Sequence, residues 1–164
     1  MPNLTKFETN PQAQLLAEVK NARCVMLSSP VESEHMQPMS PQVDEDAQVV
    51  YFYADRFSDL GKAVIQNASH VQLCHIDDDY QASVKGYIET HHDVSTVDKY
   101  WNPIVAAWYP GGKSDQKLLM LKFTPETAAI WGSDKSMIGF MYEIAKANIT
   151  NTMPNVGMSK EIDI

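Results

Sequence analysis

Apolar and polar residues alternate along several stretches of the chain, which is the pattern of half-buried β-strands. The longest stretch is Tyr80–His91, with Val84, Gly86 and Ile88 on one face and Ser83, Lys85 and Tyr87 on the other. A glycine inside such a pattern predicts a β-bulge, or a close approach by another backbone or ring. Further strands are predicted at residues 23–29, around His35–Ser40, and at Val49–Ala54, His70–Ile76 and Leu118–Thr124.

Helices are predicted where apolar residues recur at helical spacing after a capping residue. They are about Pro11–Asn21 after Asn10 or Thr9, Ser58 to about Asn67, Val94–Tyr109, and a last helix from Ser133 or Asp134 through Ala147. Pro103 is expected to break or kink the Val94–Tyr109 helix near Asn102, because proline lacks the N–H that a helix interior needs. Pro125 is expected to begin a turn after Leu118–Thr124.

These elements predict a mainly β fold with α insertions. Six or so strands, turn residues between them and one long crossover indicate a small β-barrel. The pattern alone does not distinguish a barrel from an open α+β sheet. We expect residues 1–150 to form a single domain, and residues 151–164 to form a weakly ordered C-terminal tail.

Composition and charge narrow the possible functions. The 164 residues are 44% hydrophobic and 21% charged, as in ordinary globular proteins. A net charge of −8 argues against nonspecific nucleic-acid binding, although it leaves room for one local positive pocket. No apolar run is long enough to span a bilayer, and MPNLTKFETN lacks the order of a secretory signal, so we expect a cytoplasmic protein. Cys24 and Cys74 lie in apolar segments without a CxxC pair, which favours free thiols.

The segment that follows Val49–Ala54 offers a possible anion site. Ser58 is a natural N-cap, Asp59 lies in the first helical turn, and Lys62 lies on the same helical face as Ser58. A helix N-terminus with a hydroxyl and a lysine can hold a phosphate. The same residues are also those of a capped connector helix with a solvated lysine, and the local sequence leaves both interpretations open.

Other clusters of polar residues do not predict a site. His91-His92-Asp93 could suggest a metal, but neighbours on a strand point to opposite faces and make poor joint ligands. Asp77-Asp78-Asp79 lacks the glycine and distal glutamate of a calcium loop and is interpreted as a solvated hairpin. No Ser/His/Asp or Cys/His constellation can be assembled, and His35 and His75 are interpreted as strand residues.

Several motifs in order resemble the FMN-binding split-barrel superfamily, in particular its pyridoxamine 5′-phosphate oxidase-like, general stress protein branch. The resemblance runs from about Leu15 to Trp131. The motifs are CVMLSS, the triplet Gln37-Pro38-Met39, YFYADRFSDLGK ending at Lys62, SVKGYIE, KYW…AAWYPGG, and PETAAIWG with Trp131.

The resemblance implies a six-stranded Greek-key split β-barrel that forms a homodimer, with FMN in two clefts at the subunit interface. Ser58 and Lys62 would then hold the phosphate. The remaining implied cofactor-binding residues are Met26, Leu27 and Ser28, mainly through backbone, Gln37 and Met39 on the second strand, Trp108 from the inserted helix, and Trp131 from the partner subunit. For Trp108 and Trp101, a packing role remains an alternative.

The chain departs from the family pattern in two places. Gln37 stands where the triplet usually begins with arginine, which could weaken phosphate binding by about 1–3 kcal/mol. Arg56 is a possible substitute. The arginine and histidine that follow the tryptophan in the oxidase are absent from GSDKSMIGFMYEIAK, so pyridoxamine phosphate oxidation is not expected.

The implied function is therefore that of an FMN-dependent oxidoreductase linked to stress response, with a small-molecule electron donor or acceptor. One alternative is a flavin-binding or sensing module without turnover, which we would expect if the 134–147 helix plugs the cleft. Another is a protein that has lost FMN and binds a different planar ligand, such as a deazaflavin or haem.

Overall fold

The structure is a computed structural model that describes residues 4–133 and 137–164. Its strands are β1 (Val25–Leu27), β2 (Gln37–Met39), β3 (Gln42–Asp44), β4 (Val49–Asp55), β5 (Ser69–Ile76), β6 (Tyr80–His91), β7 (Leu118–Gly132) and β8 (Met158–Asp163). Its helices are α1 (Leu4–Thr9), α2 (Pro11–Asn21), α3 (Asp59–Gln66), α4 (Val94–Tyr100), α5 (Pro103–Trp108) and α6 (Met137–Thr150), with a 3₁₀ turn at Gly112–Ser114.

All the strands of the described chain belong to one antiparallel sheet in the order β2-β1-β5-β6-β7-β4-β3, and β8 pairs with β7 outside this order. Strand β6 pairs along nearly all of β7, whereas β4 pairs with the first half of β7 and β8 with the second half. The sheet is a curled half-barrel with eight strands, so the expected count of six is wrong. The expectation of a mainly β fold with inserted helices is confirmed.

The irregular point of the sheet is where Gly86 faces Pro125. The register of β6 against β7 shifts between Lys85 and Gly86, which confirms the predicted bulge. A Cβ atom at Gly86 would lie 2.3 Å from the Thr124 carbonyl oxygen and 2.6 Å from Cζ of Phe123, so the close approach is confirmed as well. The turn expected at Pro125 is wrong. Proline occurs in strands at bulges, and here β7 continues through it.

The core lies between the concave side of the sheet and the helices α2 and α3. Leu15, Leu16 and Val19 of α2 and Leu60 and Val64 of α3 are buried. Asn10 caps α2 by accepting the Ala13 N–H at 3.2 Å, which confirms one of the two predicted caps. Burial of the apolar stripes of these helices fixes them against the sheet.

The predicted break at Pro103 is confirmed. Helix α4 ends at Tyr100, and α5 begins at Pro103 with Asn102 as its N-cap. The Asn102 carboxamide oxygen accepts the N–H groups of Ile104 and Val105 at 2.9 and 3.0 Å. The polypeptide therefore turns between two short helices, and α5 projects as a separate element.

The C-terminal part of the chain differs from the expectation of a weakly ordered tail. Residues 158–163 form β8, in which Ser159 is the partner of Trp131 and Ile162 the partner of Ala128. The partly buried Met158, Ile162 and Ile164 pack against the core. Helix α6 begins at Met137, and the predicted cap at Asp134 lies outside the described residues. No helix of the described chain is both long and apolar enough to cross a membrane.

Candidate functional site

A cleft of about 840 Å³ lies where the β2–β3 segment meets the end of β4 and the helix α5. Its walls combine apolar and aromatic side chains with a few polar groups, as small-molecule sites usually do. Its lining includes basic, acidic, polar, apolar and aromatic side chains, among them Arg23, Gln37, Met39, Tyr53, Asp55, Ser58, Ile104, Trp108, Tyr109 and Lys117. The cleft is large enough for a ligand of nucleotide size.

Ser58 forms one corner of the cleft at the N-terminus of α3. Its hydroxyl accepts the Gly61 N–H at 3.1 Å and donates to the Asp55 carbonyl at 2.6 Å, so the predicted cap is confirmed. A Cβ atom at Gly61 would lie 2.3 Å from the Asp55 carbonyl oxygen. The absence of that atom lets the helix start sit directly on the end of β4, where its first N–H groups lack carbonyl partners within the helix.

The described lining of the cleft contains more basic than acidic residues. Arg23 and Lys117 line it, and among the described residues neither has a carboxylate within ion-pair distance. In contrast, Lys99 pairs with Asp44 at 2.8 Å. The acidic residue in the described lining is Asp55, which already accepts the Phe57 N–H at 2.8 Å. The cleft is therefore a basic site in a chain of net charge −8.

An aromatic wall supports the other side of the cleft. Ring centroids are 6.0 Å apart for Tyr53 and Trp101, 6.5 Å for Tyr53 and Tyr109, and 6.2 Å for Trp101 and Tyr109. Burial raises the pKa of Tyr53 and of Tyr109 to about 12, so both phenols stay neutral near pH 7 and do not serve as bases. The Tyr53 hydroxyl donates to the Val97 carbonyl at 2.7 Å, which ties this wall to α4. Trp108 of α5 lies at the rim with 77% of its surface exposed.

The structure brings four of the nine proposed cofactor-binding residues to this cleft: Gln37, Met39, Ser58 and Trp108. The other five are outside its described lining: Met26, Leu27, Ser28, Lys62 and Trp131. Leu27 is fully buried in the core, and the Ser28 hydroxyl accepts the Gln72 N–H at 2.8 Å. Lys62 is exposed on α3, and Trp131 is 44% exposed on β7.

Arg23 and Lys117 are two basic lining residues that were not among those predicted from the sequence. Arg23 is the first residue of the predicted strand 23–29 and Lys117 directly precedes the predicted strand Leu118–Thr124, and nothing in the local sequence connects them. Arg56, which was expected as the possible substitute for an arginine at position 37, does not line the cleft and instead lines a separate pocket. Only the curvature of the sheet brings Arg23 and Lys117 to the same cavity as Gln37.

The structure is a curled antiparallel β protein with a basic, partly aromatic cleft. The chain belongs to the pyridoxamine 5′-phosphate oxidase-like family, whose model matches residues 10–155. This finding confirms the resemblance seen in the sequence motifs. No curated protein matches the chain.

Solved structures of similar proteins agree with this assignment. A candidate general stress protein 26 from Jannaschia sp. CCS1 is 30% identical over 93% of this chain and 96% of that chain, with a TM-score of 0.77. The general stress FMN/FAD binding protein from Xanthomonas citri is 32% identical over 77% of this chain and 91% of that chain, with a TM-score of 0.69. A Clostridium acetobutylicum protein related to general stress protein 26 of B. subtilis is 17% identical over 96% and 95%, with a TM-score of 0.65, and shows the fold alone.

Proposed function

We propose that this protein binds FMN in the cleft and acts as a flavin-dependent oxidoreductase. The observation that carries the proposal is that two cations without an ion-pair partner among the described residues, Arg23 and Lys117, line one cavity of about 840 Å³ together with an aromatic rim. A phosphate gains charge-assisted hydrogen bonds from such cations and from the N–H groups at a helix start, here that of α3 at Ser58. The Xanthomonas citri relative, named as an FMN/FAD binding protein, supports the choice of a flavin.

Arg23 and Lys117 also bear on the missing arginine at position 37. Gln37 lines the cleft but carries no charge, whereas Arg23 and Lys117 line the same cavity and supply two positive charges. Charge for a phosphate is therefore retained at other positions of the cleft. Lys62, one turn into α3, stays a candidate phosphate ligand that the described lining does not include.

The open cleft favours turnover over storage of the flavin. The described residues of α6, the helix that could have plugged the site, contribute nothing to its lining. A bound flavin supplies the hydride or electron transfer, and the chain supplies binding and orientation. Tyr53 and Tyr109 exclude water from the inner wall, and an electron donor such as a nicotinamide cofactor could enter past the exposed Trp108.

We further propose that the protein is a cytoplasmic homodimer that links flavin chemistry to stress response. Support for the dimer comes from exposed apolar side chains, which in a monomer would face water. Ile104 and Trp108 at the cleft rim are each 77% exposed, and Ile138, Met141 and Tyr142 of α6 are 83%, 60% and 66% exposed. The role in stress rests on the names of the similar proteins.

Flavin binding is tested by adding FMN and riboflavin to the purified protein and measuring affinity from flavin fluorescence, with uptake seen as absorbance at about 450 nm. The wild type should prefer FMN, and Arg23→Gln or Lys117→Gln should weaken FMN binding by about 1–3 kcal/mol while changing riboflavin binding little. Lys85→Gln is the matched control, because it removes an exposed lysine of β6 outside the cleft.

Protein that takes up neither flavin, or variants that bind FMN as tightly as the wild type, would refute the proposed site. Turnover is tested separately by adding NADH or NADPH to the FMN-loaded protein without oxygen. Loss of the absorbance at about 450 nm supports an oxidoreductase. If the absorbance persists with both NADH and NADPH, although dithionite reduces the same bound flavin, the binding or sensing module is favoured instead.

A further inference from the structure

A second, smaller pocket of about 190 Å³ lies beside the junction of β4 and β7 and shares none of its described lining with the cleft. Its charged and imidazole-bearing lining residues are Arg56, His91, His92, Asp98 and Lys113. The pocket is below the usual size of a site for a nucleotide or a drug-sized ligand. A ligand that fits it is therefore a small ion or a short polar group.

The charge of this pocket is positive. Asp98 is the carboxylate in the described lining, and it accepts a hydrogen bond from Lys113 at 2.5 Å, so these two charges compensate each other. Arg56 has no carboxylate within ion-pair distance among the described residues. A guanidinium group presents several donors in a planar fork that matches an oxyanion, whereas it repels a metal cation.

The two histidines are held in place by neighbouring hydroxyl groups. The Thr96 hydroxyl donates to Asp93 at 3.0 Å, so the Nε2 atom of His91, 3.1 Å from the same hydroxyl, is the donor of that contact. The His91 ring also packs against Tyr51 at a centroid distance of 4.9 Å. His92 Nε2 lies 3.1 Å from the Thr90 hydroxyl. These hydroxyl contacts therefore fix the orientation of both rings beside the pocket.

Adjacent histidines reach the same pocket because β6 ends between them. His91 is the last residue of the strand and His92 follows it, so the alternation of faces that argued against joint ligands no longer applies. A shared anion therefore remains possible for both rings at this position.

Burial lowers the pKa of His91; Asp93 and Glu89 raise it, while Lys122 and His92 lower it. An oxyanion next to the ring would oppose the effect of burial, since a nearby negative charge favours the protonated imidazole. Binding can therefore be read out at this residue.

We propose that this pocket is a second anion site, which binds a small oxyanion such as phosphate or a carboxylate through Arg56, with the imidazole rings of His91 and His92 beside it. The site does not depend on the flavin proposal, because the described linings of the two cavities have no residue in common.

The probe for the test is inorganic phosphate, with sodium acetate as the carboxylate, titrated into the full chain at constant ionic strength. The C2–H resonances of His91 and His92 are followed by NMR from pH 5 to 8. A saturable rise in the pKa of His91 with phosphate, with acetate or with both supports the site, and the more effective ion identifies the source. A His91 titration that neither ion changes would overturn the proposal.

Two variants separate a specific site from general screening. Arg56→Gln should weaken the binding at least about ten-fold, because it removes a charge-assisted contact. Arg56→Lys keeps the positive charge but lacks the planar guanidinium group, so its affinity for the anion should lie below that of the wild type and above that of Arg56→Gln. It is the variant to use if Arg56→Gln does not fold. Lys85→Gln should bind like the wild type. The assignment is refuted if the Arg56 variants bind the anion as tightly as the wild type, or if Lys85→Gln loses as much affinity as Arg56→Gln.

Discussion

Gly86→Ala tests the contact that lets β7 continue through Pro125. The new Cβ would meet the Thr124 carbonyl oxygen at 2.3 Å and the buried ring of Phe123 at 2.6 Å, so either the β6 backbone or the core must move. Overpacking of a core costs about 1–3 kcal/mol, and the upper end applies here because neither neighbour is a flexible side-chain tip. Alanine also lowers the conformational entropy of the unfolded chain relative to glycine, which offsets about 0.4–1 kcal/mol of this loss of stability.

The net loss expected for Gly86→Ala is therefore about 2 kcal/mol, which in a chain of this size lowers the melting temperature by about 4–8 °C. Thermal unfolding followed by circular dichroism at fixed protein concentration measures the shift, and urea unfolding gives the free energy. Lys85→Ala is the control, because it changes an exposed neighbour on the same strand and should alter stability by less than about 0.5 kcal/mol. A Gly86→Ala melting temperature equal to or above that of the wild type would show that the close approach does not constrain the sheet.

Two further predictions concern the core and the helix start. His75 is buried, and burial lowers its pKa below that of the unfolded chain, although Glu18 and Asp77 partly oppose this. The stability that the folded protein gains from keeping His75 neutral is therefore fully present above about pH 6.5. It declines as the pH falls toward the pKa of His75 in the folded state. Urea unfolding at pH 7.5 and 5.5 should therefore show a smaller loss for His75→Gln than for the wild type, and equal losses contradict the prediction. Ser58→Ala should lower the free energy of unfolding by about 1 kcal/mol through loss of the N-cap, whereas a cap without energetic value predicts no change in the urea midpoint.

Sequence patterns predict those parts of the fold that local physics controls. The strand Tyr80–His91 and the break before Pro103 agree with the structure because alternation, capping and the missing proline N–H act within a few residues. The extent of β7 was wrong because Pro125 is accommodated by a glycine on another strand. Strand β8 was missed because its weak pattern becomes a strand only beside the free half of β7.

The residues of the candidate site likewise fall into those that the local sequence predicts and those that it does not. Ser58 was identifiable because a cap and the first turn of its helix are neighbours in the chain. Arg23 and Lys117 were not, since each lies next to a different strand and the pairing of those strands determines what they share. The mistaken role expected for Arg56 has the same cause: it follows Asp55 directly, yet the turn after β4 places the two side chains at different cavities.

The distribution of charge is compatible with the two anion sites proposed for this acidic chain. Five lysines of the described chain pair with carboxylates and therefore contribute little to the net electrostatic field; they are at positions 20, 99, 113, 122 and 146. Arg23 and Lys117 line the cleft and Arg56 lines the second pocket, and none of the three has a carboxylate within ion-pair distance among the described residues. The chain therefore needs neither an overall positive charge nor an arginine at position 37. Unpaired cations at a cavity of the sheet are enough to attract an anion there. Attraction at close range depends on the local charges, because solvent screens the charges of the distant surface.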